Sequence, residues 1–365
     1  MSRKLSIQLR KLFIIVGAWL VIGFLISAYD YFGLNSEASK GPVDGYSFVR
    51  NMAFNLAAAF MGSVMGGCFL VFYVNEKLKD RPYGYTLMAV VLSFIVIVSV
   101  ITVILGMWFV KSDIGNWPFT ADVATDRFYT YLVNPLHLKN ILVWSIVTMM
   151  TQFFLQINDK FGQGLLWDFI KGKYHKPRDE VRVFMFLDLV SSTAIAESLG
   201  NTRYYNLLRD FYADITNSII YNSGQIYQYV GDEVVISWKY EDAIVNHHCI
   251  KCFFDAKGRI AELKDKYIKK YGLVPDFKAA LHYGHVTAGE IGIIKKDITY
   301  SGDVLNTTSR ILAKCNEYHQ KLLVSGQLYQ SLRKLNSLFG FEKIGDEYLR
   351  GKAERIEIYS VSSPV

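Results

Sequence analysis

Residues 181–190 read VRVFMFLDLV, a short run dominated by β-branched and aromatic residues. Its apolar positions are nearly continuous instead of recurring every third or fourth residue, so it reads as a buried strand. Asp188 interrupts the run at its C-terminal end. A carboxylate buried there without a partner would cost several kcal/mol. Downstream, IYQYVGDEVVISW (226–238) has two strand-like runs around Val230-Gly231-Asp232-Glu233, which places Asp232 at the tip of a tight hairpin. Either aspartate alone reads as a turn or helix-capping residue. Together they make a pair of strand-borne carboxylates suited to Mg²⁺, which takes one or two protein carboxylates and completes its shell with water and phosphate.

Two further stretches extend the pattern. Ser191, Ser192 and Thr193 open a helix directly after the Asp188 strand. Free amides and hydroxyls there can receive phosphate oxygens or simply cap the helix. In DITYSGDVLNTTSRIL (297–312), Asn306 and Arg310 are four apart and share a helix face. An Asn beside an Arg can orient a ribose and neutralise charge on a reacting phosphate. Taken alone, that face reads equally as solvated and polar.

The chain has 365 residues, 51% of them hydrophobic, and a net charge of +7. The apolar residues concentrate in four runs, 12–29, 52–74, 86–110 and 141–157, none of which contains a charged residue. A helix needs about 20 apolar residues to cross about 30 Å of hydrocarbon, so residues 1–157 are expected to form an α-helical membrane domain of four spans. Arg3, Lys4, Arg10 and Lys11 precede the first run, and Lys77, Lys79 and Arg81 follow the second. Loop 111–138 instead carries Asp113, Asp122 and Asp126 against Lys111 and Arg127. That asymmetry predicts a multi-pass protein of the cell (inner or plasma) membrane, with both the N-terminus and the C-terminal half cytoplasmic. The first run reads as an uncleaved anchor. The four cysteines do not suggest a disulfide framework. HHCIKC (247–252) reads as a packed helix face in preference to a zinc site.

Residues 158–180 read as a mixed-charge linker, and 181–365 as an α+β domain with a mixed sheet. Its expected elements begin with strand 181–190 and a helix from about 192 to 221, broken near Gly200. Strands around Gly231 and one long helix through 241–270 follow. The stretch 276–294 reads as a strand pair turning near Gly284. A strand at 298–301, helix 303–315, strand 322–325, helix 327–335 and closing strands complete the domain.

Five stretches in order, FMFLDLVSSTAIAE, YVGDEVV, GHVTAGEIG, YSGDVLNTTSRI and YLRGKAERIEIYSV, resemble the catalytic domain of class III nucleotide cyclases. The resemblance implies a ferredoxin-like core and conversion of ATP to cyclic AMP and pyrophosphate. It also implies that Asp188 and Asp232, with Leu189 beside the first, hold two Mg²⁺ or Mn²⁺ ions per active site. Ser191, Ser192 and Thr193 would cradle the β- and γ-phosphates, Asn306 the ribose, and Arg310 the α-phosphate. In this family the metal pair and the Asn/Arg pair of one site come from different catalytic domains, which implies a homodimer. Arg350 and Lys352 fall where the family often has a base near the triphosphate; a solvated hairpin is the competing reading. Gln228 and Thr299 occupy the base-reading positions. Adenylyl cyclases usually have Lys at the first and guanylyl cyclases Glu, and an amide can pair with either purine. Thr299 matches the Thr-bearing adenylyl subtype, so ATP is expected, with guanylate cyclase as the alternative. Ser192 stands where the family has an aromatic residue.

VGDEV also resembles the GGDEF hairpin of diguanylate cyclases, but the second glycine and the Phe are missing. A catalytically silent membrane receptor is the other alternative, opposed by the presence of Asp188, Asp232, Asn306 and Arg310. Besides ATP, the bilayer and a second copy, no nucleic acid polymer is expected as a partner. The spans either anchor the chain or pass a membrane or small-molecule signal through 158–180.

Overall fold

Strand β1 (Arg178–Leu189) forms the spine of the C-terminal half. Val183 to Phe186 are buried on both parities, as befits a strand covered on both faces. The computed structural model to which it belongs describes residues 3–34, 47–74, 77–78, 81–133, 135–161, 168, 170–294, 296–333, 339–348 and 355–363. It divides into two units, Met1–Lys160 and Phe161–Val365.

In the first unit α1 (Arg3–Leu34) is followed by α2 (Phe48–Cys68), which runs on as a π-helical stretch, Phe69–Val74. Then come α3 (Tyr83–Ile114), α4 (Asp122–Leu132) and α5 (Pro135–Phe161). Among the described residues four segments are long and apolar enough to cross a membrane: Gln8–Gly33, Phe48–Val74, Gly84–Ile114 and Ile141–Asn158. Their packing follows the rule for helices in lipid, where small residues let backbones approach and polar groups bond across helices. Gly62 and Gly66, one turn apart on α2, lie against the ring of the buried Trp19. The Trp19 Nε1 donates to Thr151 Oγ1 at 3.0 Å, and Asn55 Nδ2 donates to Ser27 Oγ at 3.0 Å.

In the second unit β1 leads to α6 (Ser192–Leu199), α7 (Asn201–Tyr221) and the hairpin β2 (Gln225–Val230) and β3 (Glu233–Lys239). After α8 (Tyr240–Ile244), α9 (His248–Glu262) and α10 (Lys264–Tyr271) come β4 (Phe277–Ile291), β5 (Asp297–Ser301) and α11 (Asp303–Glu317). The unit closes with β6 (Leu322–Ser325), α12 (Gly326–Leu332), β7 (Gly340–Tyr348) and β8 (Arg355–Ser362). The sheet order is β2-β3-β1-β4-β6-β8-β7, with β5 paired to β4. Only β4–β6 is parallel among these pairs; the others are antiparallel, so the sheet is mixed as expected. Alternation along β1 splits the core in two. Val183, Met185, Leu187 and Leu189 face α7, α9, α10 and α12, whereas Phe184 and Phe186 face α11.

Two sequence expectations fail here. Residues 277–291 form one unbroken strand with no turn at Gly284. A Cβ at Gly284 would lie 2.7 Å from Val304 Cγ2, so this glycine admits α11 to close contact with the sheet. Gly284→Ala is therefore expected to destabilise the unit by about 1–3 kcal/mol through overpacking. It should lower activity as well, because Val304 shares α11 with Asn306 and Arg310; denaturant melts and turnover of the purified variant check both.

The long helix expected over 241–270 is broken twice. Asn246 and His247 take left-handed backbone angles (φ 51 and 56), and a second break falls at Leu263. The second break turns Tyr267 and Tyr271 inward, where their hydroxyls donate to Asp214 and Asp210 at 2.7 and 2.8 Å. Cys249 and Cys252 are buried in the core on α9.

Candidate active site

Asp188 lies on the α11 side of β1, in alternation with Phe184 and Phe186. Across the sheet it pairs with Glu233 on β3 and Lys278 on β4. Lys278 Nζ lies 3.4 Å from its carboxylate. Asp232 ends the two-residue turn between β2 and β3, within hydrogen-bonding reach of the Asp188 carboxyl. Gly231, the other turn residue, has φ +62, a left-handed conformation that glycine adopts without strain. Tyr212 on α7 donates its hydroxyl to the Gly231 carbonyl at 3.1 Å, which pins the turn.

Three carboxylates here face one ammonium. Burial, then the charge of Asp232, pushes the Asp188 pKa up, with Lys278 opposing. Burial, then Asp188 and Asp232, pushes Glu233 up to about 7. A half-buried surplus of negative charge is what a divalent cation relieves. Among the described residues no group of three or more His, Cys, Asp or Glu is placed to hold a metal ion. A pair of aspartates still suits a hard cation that keeps most of its shell as water and phosphate oxygen. The residues present therefore fit Mg²⁺ or Mn²⁺. The Leu189 side chain is buried in the opposite core, which leaves only its backbone carbonyl for such an ion.

Glu233 makes the metal-free protein sensitive to pH. Below its ordinary value of 4.5 the carboxyl is protonated in both folded and unfolded chains and contributes nothing. Between 4.5 and about 7 the unfolded chain releases this proton and the folded chain retains it, so stability falls as pH rises. Glu233→Gln should therefore raise the melting midpoint at pH 8 and leave it unchanged at pH 4. After allowance for solvent screening the gain at pH 8 is on the order of 1 kcal/mol. Thermal melts in chelator across this range check it.

Ser191 takes a left-handed conformation (φ 57), and its side chain does not cap α6. Ser191 and Thr193 are exposed. Ser192 hydrogen-bonds Tyr204, whose pKa is raised by burial and by the Asp232 charge, so this corner adjoins the carboxylates. Asn306 is exposed on α11, and Arg310 lies one turn on with its Nη1 buried and without a partner. A shielded guanidinium nitrogen without an acceptor costs on the order of 1–3 kcal/mol, a deficit that an anion would remove. Among the described residues no hydrogen bond or ion pair joins Asn306 or Arg310 to Asp188 or Asp232.

Gln228 is exposed on β2, just past an irregularity in its pairing with β3, and Thr299 on β5 pairs with Gly289. Their neighbours Tyr227 and Tyr300 bring the two strands together, with ring centroids 5.0 Å apart. Arg350 and Lys352 lie outside the described residues. Sequence reasoning missed Lys278 and Glu233. Lys278 leaves a signal, a lone charge in the apolar run FKAALHYG, whereas Glu233, next to Asp232 in sequence, meets Asp188 and Lys278 only through strand register.

The fold and this acidic corner define a class. The profile described as Adenylate and Guanylate cyclase catalytic domain matches residues 173–363, and the chain belongs to that family. It is similar to Adenylate cyclase 2 of Rhizobium meliloti (strain 1021), 34% identical over 225 residues that cover 61% of this chain and 62% of that protein. Adenylate cyclase 1 of the same organism is 25% identical over 189 residues, covering 50% of this chain and 28% of that one. The chain thus spans less than two thirds of either curated relative. A solved bacterial light-regulated adenylyl cyclase shares the fold, with a TM-score of 0.52 at 19% identity over 61% of this chain and 64% of that one.

Proposed function

We propose that this chain is a membrane-anchored adenylate cyclase, which converts ATP to 3′,5′-cyclic AMP and pyrophosphate at sites shared between two copies. The observation that supports this reading is the close pair Asp188 and Asp232, two carboxylates at the end of the central strand that suit a divalent cation. Similarity to Adenylate cyclase 2 favours ATP as the substrate. The four apolar helices would place the N-terminus and the cyclase unit on the cytoplasmic side, following the Lys and Arg bias of their flanks.

In the reaction the ribose 3′-oxygen bonds to the α-phosphorus, the bond from that phosphorus to the pyrophosphate oxygen breaks, and the hydroxyl proton passes to solvent. Asp188 and Asp232 would hold two Mg²⁺ or Mn²⁺ ions, which when bound acidify the hydroxyl and neutralise the triphosphate. Asn306 of the second copy orients the ribose. Arg310 beside it gives its unpaired N–H to the α-phosphoryl oxygens as charge moves onto the leaving group. The uncapped amides and hydroxyls at 191–193 take the β- and γ-phosphates, assisted by Arg350 and Lys352. Gln228 and Thr299 read the purine.

A guanylate cyclase is the second reading, favoured by one feature: Gln228 offers an exposed amide that serves either base. Turnover of purified protein with ATP and with GTP, each with Mn²⁺ and Mg²⁺, decides. Cyclic AMP as the main product is expected; mainly cyclic GMP gives the second reading, and no cyclisation of either nucleotide overturns both.

A further inference from the structure

Arg182 is charged, central in β1, and only 1% exposed. Each nitrogen of its guanidinium is engaged: Nε donates to Glu180 Oε2 at 2.7 Å, and Nη1 to Gln225 Oε1 and Ser237 Oγ, both at 3.2 Å. Nη2 reaches the Tyr174 hydroxyl at 3.4 Å, and the group lies 4.6 Å over the Tyr300 ring. A buried cation is weak evidence for stability, since an apolar residue of similar volume usually serves as well. Its value lies in fixing one arrangement, and the arrangement here is specific. Gln225 lies on β2, three residues before Gln228, and Tyr300 directly follows Thr299 on β5. The Tyr300 amide donates to the Tyr227 hydroxyl at 3.4 Å, which closes a link between the two strands next to both base-reading residues.

The same cluster reaches the segment that follows the last apolar helix in the chain. Tyr174 is fully buried, and its hydroxyl donates to Glu180 at 3.3 Å and accepts from Lys173 at 2.7 Å. The Tyr174 carbonyl accepts from the Glu290 amide at 3.1 Å, and Pro177 lies against Gly289. Gly289 and Glu290 are the β4 residues paired with Thr299 and Ile298. Residues 173–177 therefore hold the β4–β5 ladder from behind, at the rung where Thr299 sits.

We propose that Arg182 is a positioning residue that sets the spacing of Gln228 and Thr299, and that the half-buried Glu180–Tyr174 contact makes this spacing responsive to residues 173–177. The inference rests on the reading of Gln228 and Thr299 as the base-recognising pair. It predicts that base choice responds to changes far from the nucleotide.

The test uses the full chain in bilayer discs, with kcat and KM measured for ATP and GTP. Arg182→Met should raise KM for the preferred nucleotide by about tenfold and narrow the ratio of kcat/KM between the two by a similar factor, with kcat changed less than about threefold. Arg182→Lys, which retains the charge over Tyr300, should recover part of the loss. Tyr174→Phe removes one hydroxyl and should shift the ratio the same way by about threefold, with the melting midpoint held. Equal losses in kcat for both nucleotides at unchanged KM would mean that Arg182 only supports the fold, and overturn the proposal. If Arg182→Met does not fold, Tyr174→Phe decides, and an unchanged ratio there overturns it. Gln228→Ala and Thr299→Ala separate the two levels. If they alter base choice and the Arg182 and Tyr174 variants do not, only the positioning role falls; if they leave it unaltered, the base-reading assignment falls and the positioning role with it.

Discussion

Asp188→Ala and Asp232→Ala should each lower kcat/KM for nucleotide cyclisation by at least about a thousandfold, since each removes a cation ligand needed at the reacting phosphate. The fold should survive both changes. Asp188 is the penultimate residue of its strand, at the edge of the core, and pairs with Lys278, and Asp232 occupies a turn whose geometry depends on Gly231. The charge balance also predicts a counterintuitive gain. Burial and the neighbouring aspartate already hold the Asp188 pKa up, so deleting Asp232 relieves repulsion in the metal-free protein. At pH 7 to 8 the metal-free Asp232→Ala protein should therefore melt no lower than wild type, and it should lose the rise in melting midpoint that Mn²⁺ confers on wild type. Turnover assays and melts with and without Mn²⁺ measure both. Either variant retaining a tenth or more of wild-type turnover would exclude the two aspartates from the cation site.

Mixing two dead variants should restore activity. Asp188→Ala supplies an intact Asn306 and Arg310, and Arg310→Ala supplies intact carboxylates. Within one chain Arg310 Nη1 is buried without a partner, and among the described residues nothing ties Asn306 or Arg310 to the carboxylates. A second copy packed with two-fold symmetry would complete two sites per dimer. When equal amounts of the variants assemble at random, half the dimers are mixed and each mixed dimer has one complete site. The mixture should recover about a quarter of wild-type turnover, against essentially none for either variant alone. A chain carrying both substitutions should rescue neither. No recovery from co-expressed chains that demonstrably mix would show that the site is built within one chain.

Much of the architecture was legible because its signals are local. A nearly continuous apolar run over 181–190, a Gly-Asp turn between two β-rich stretches, and an Asn and Arg one helical turn apart are all local patterns. The four apolar helices were readable for the same reason: length and absence of charge suffice. Misreadings came where one residue type serves two ends. Gly284 looks like a turn but admits Val304, and the apparent helix 241–270 bends because Asn246 and His247 take left-handed angles.

What the sequence determined by itself, then, is most of the elements, and it offered Asp188, Asp232, Asn306 and Arg310 as the polar residues on which the proposed chemistry would draw. Tertiary structure alone decided their company. Strand register puts Glu233 and Lys278 on either side of Asp188, and burial with the surrounding charges pushes the carboxyls of Asp188 and Glu233 upward. Tertiary packing also closes Arg182 over Tyr300 and onto Tyr174. Electrostatic coupling falls off with distance in space, not along the chain, so the sequence shows Lys278 and Arg182 as charges in apolar runs but not the groups that each one meets.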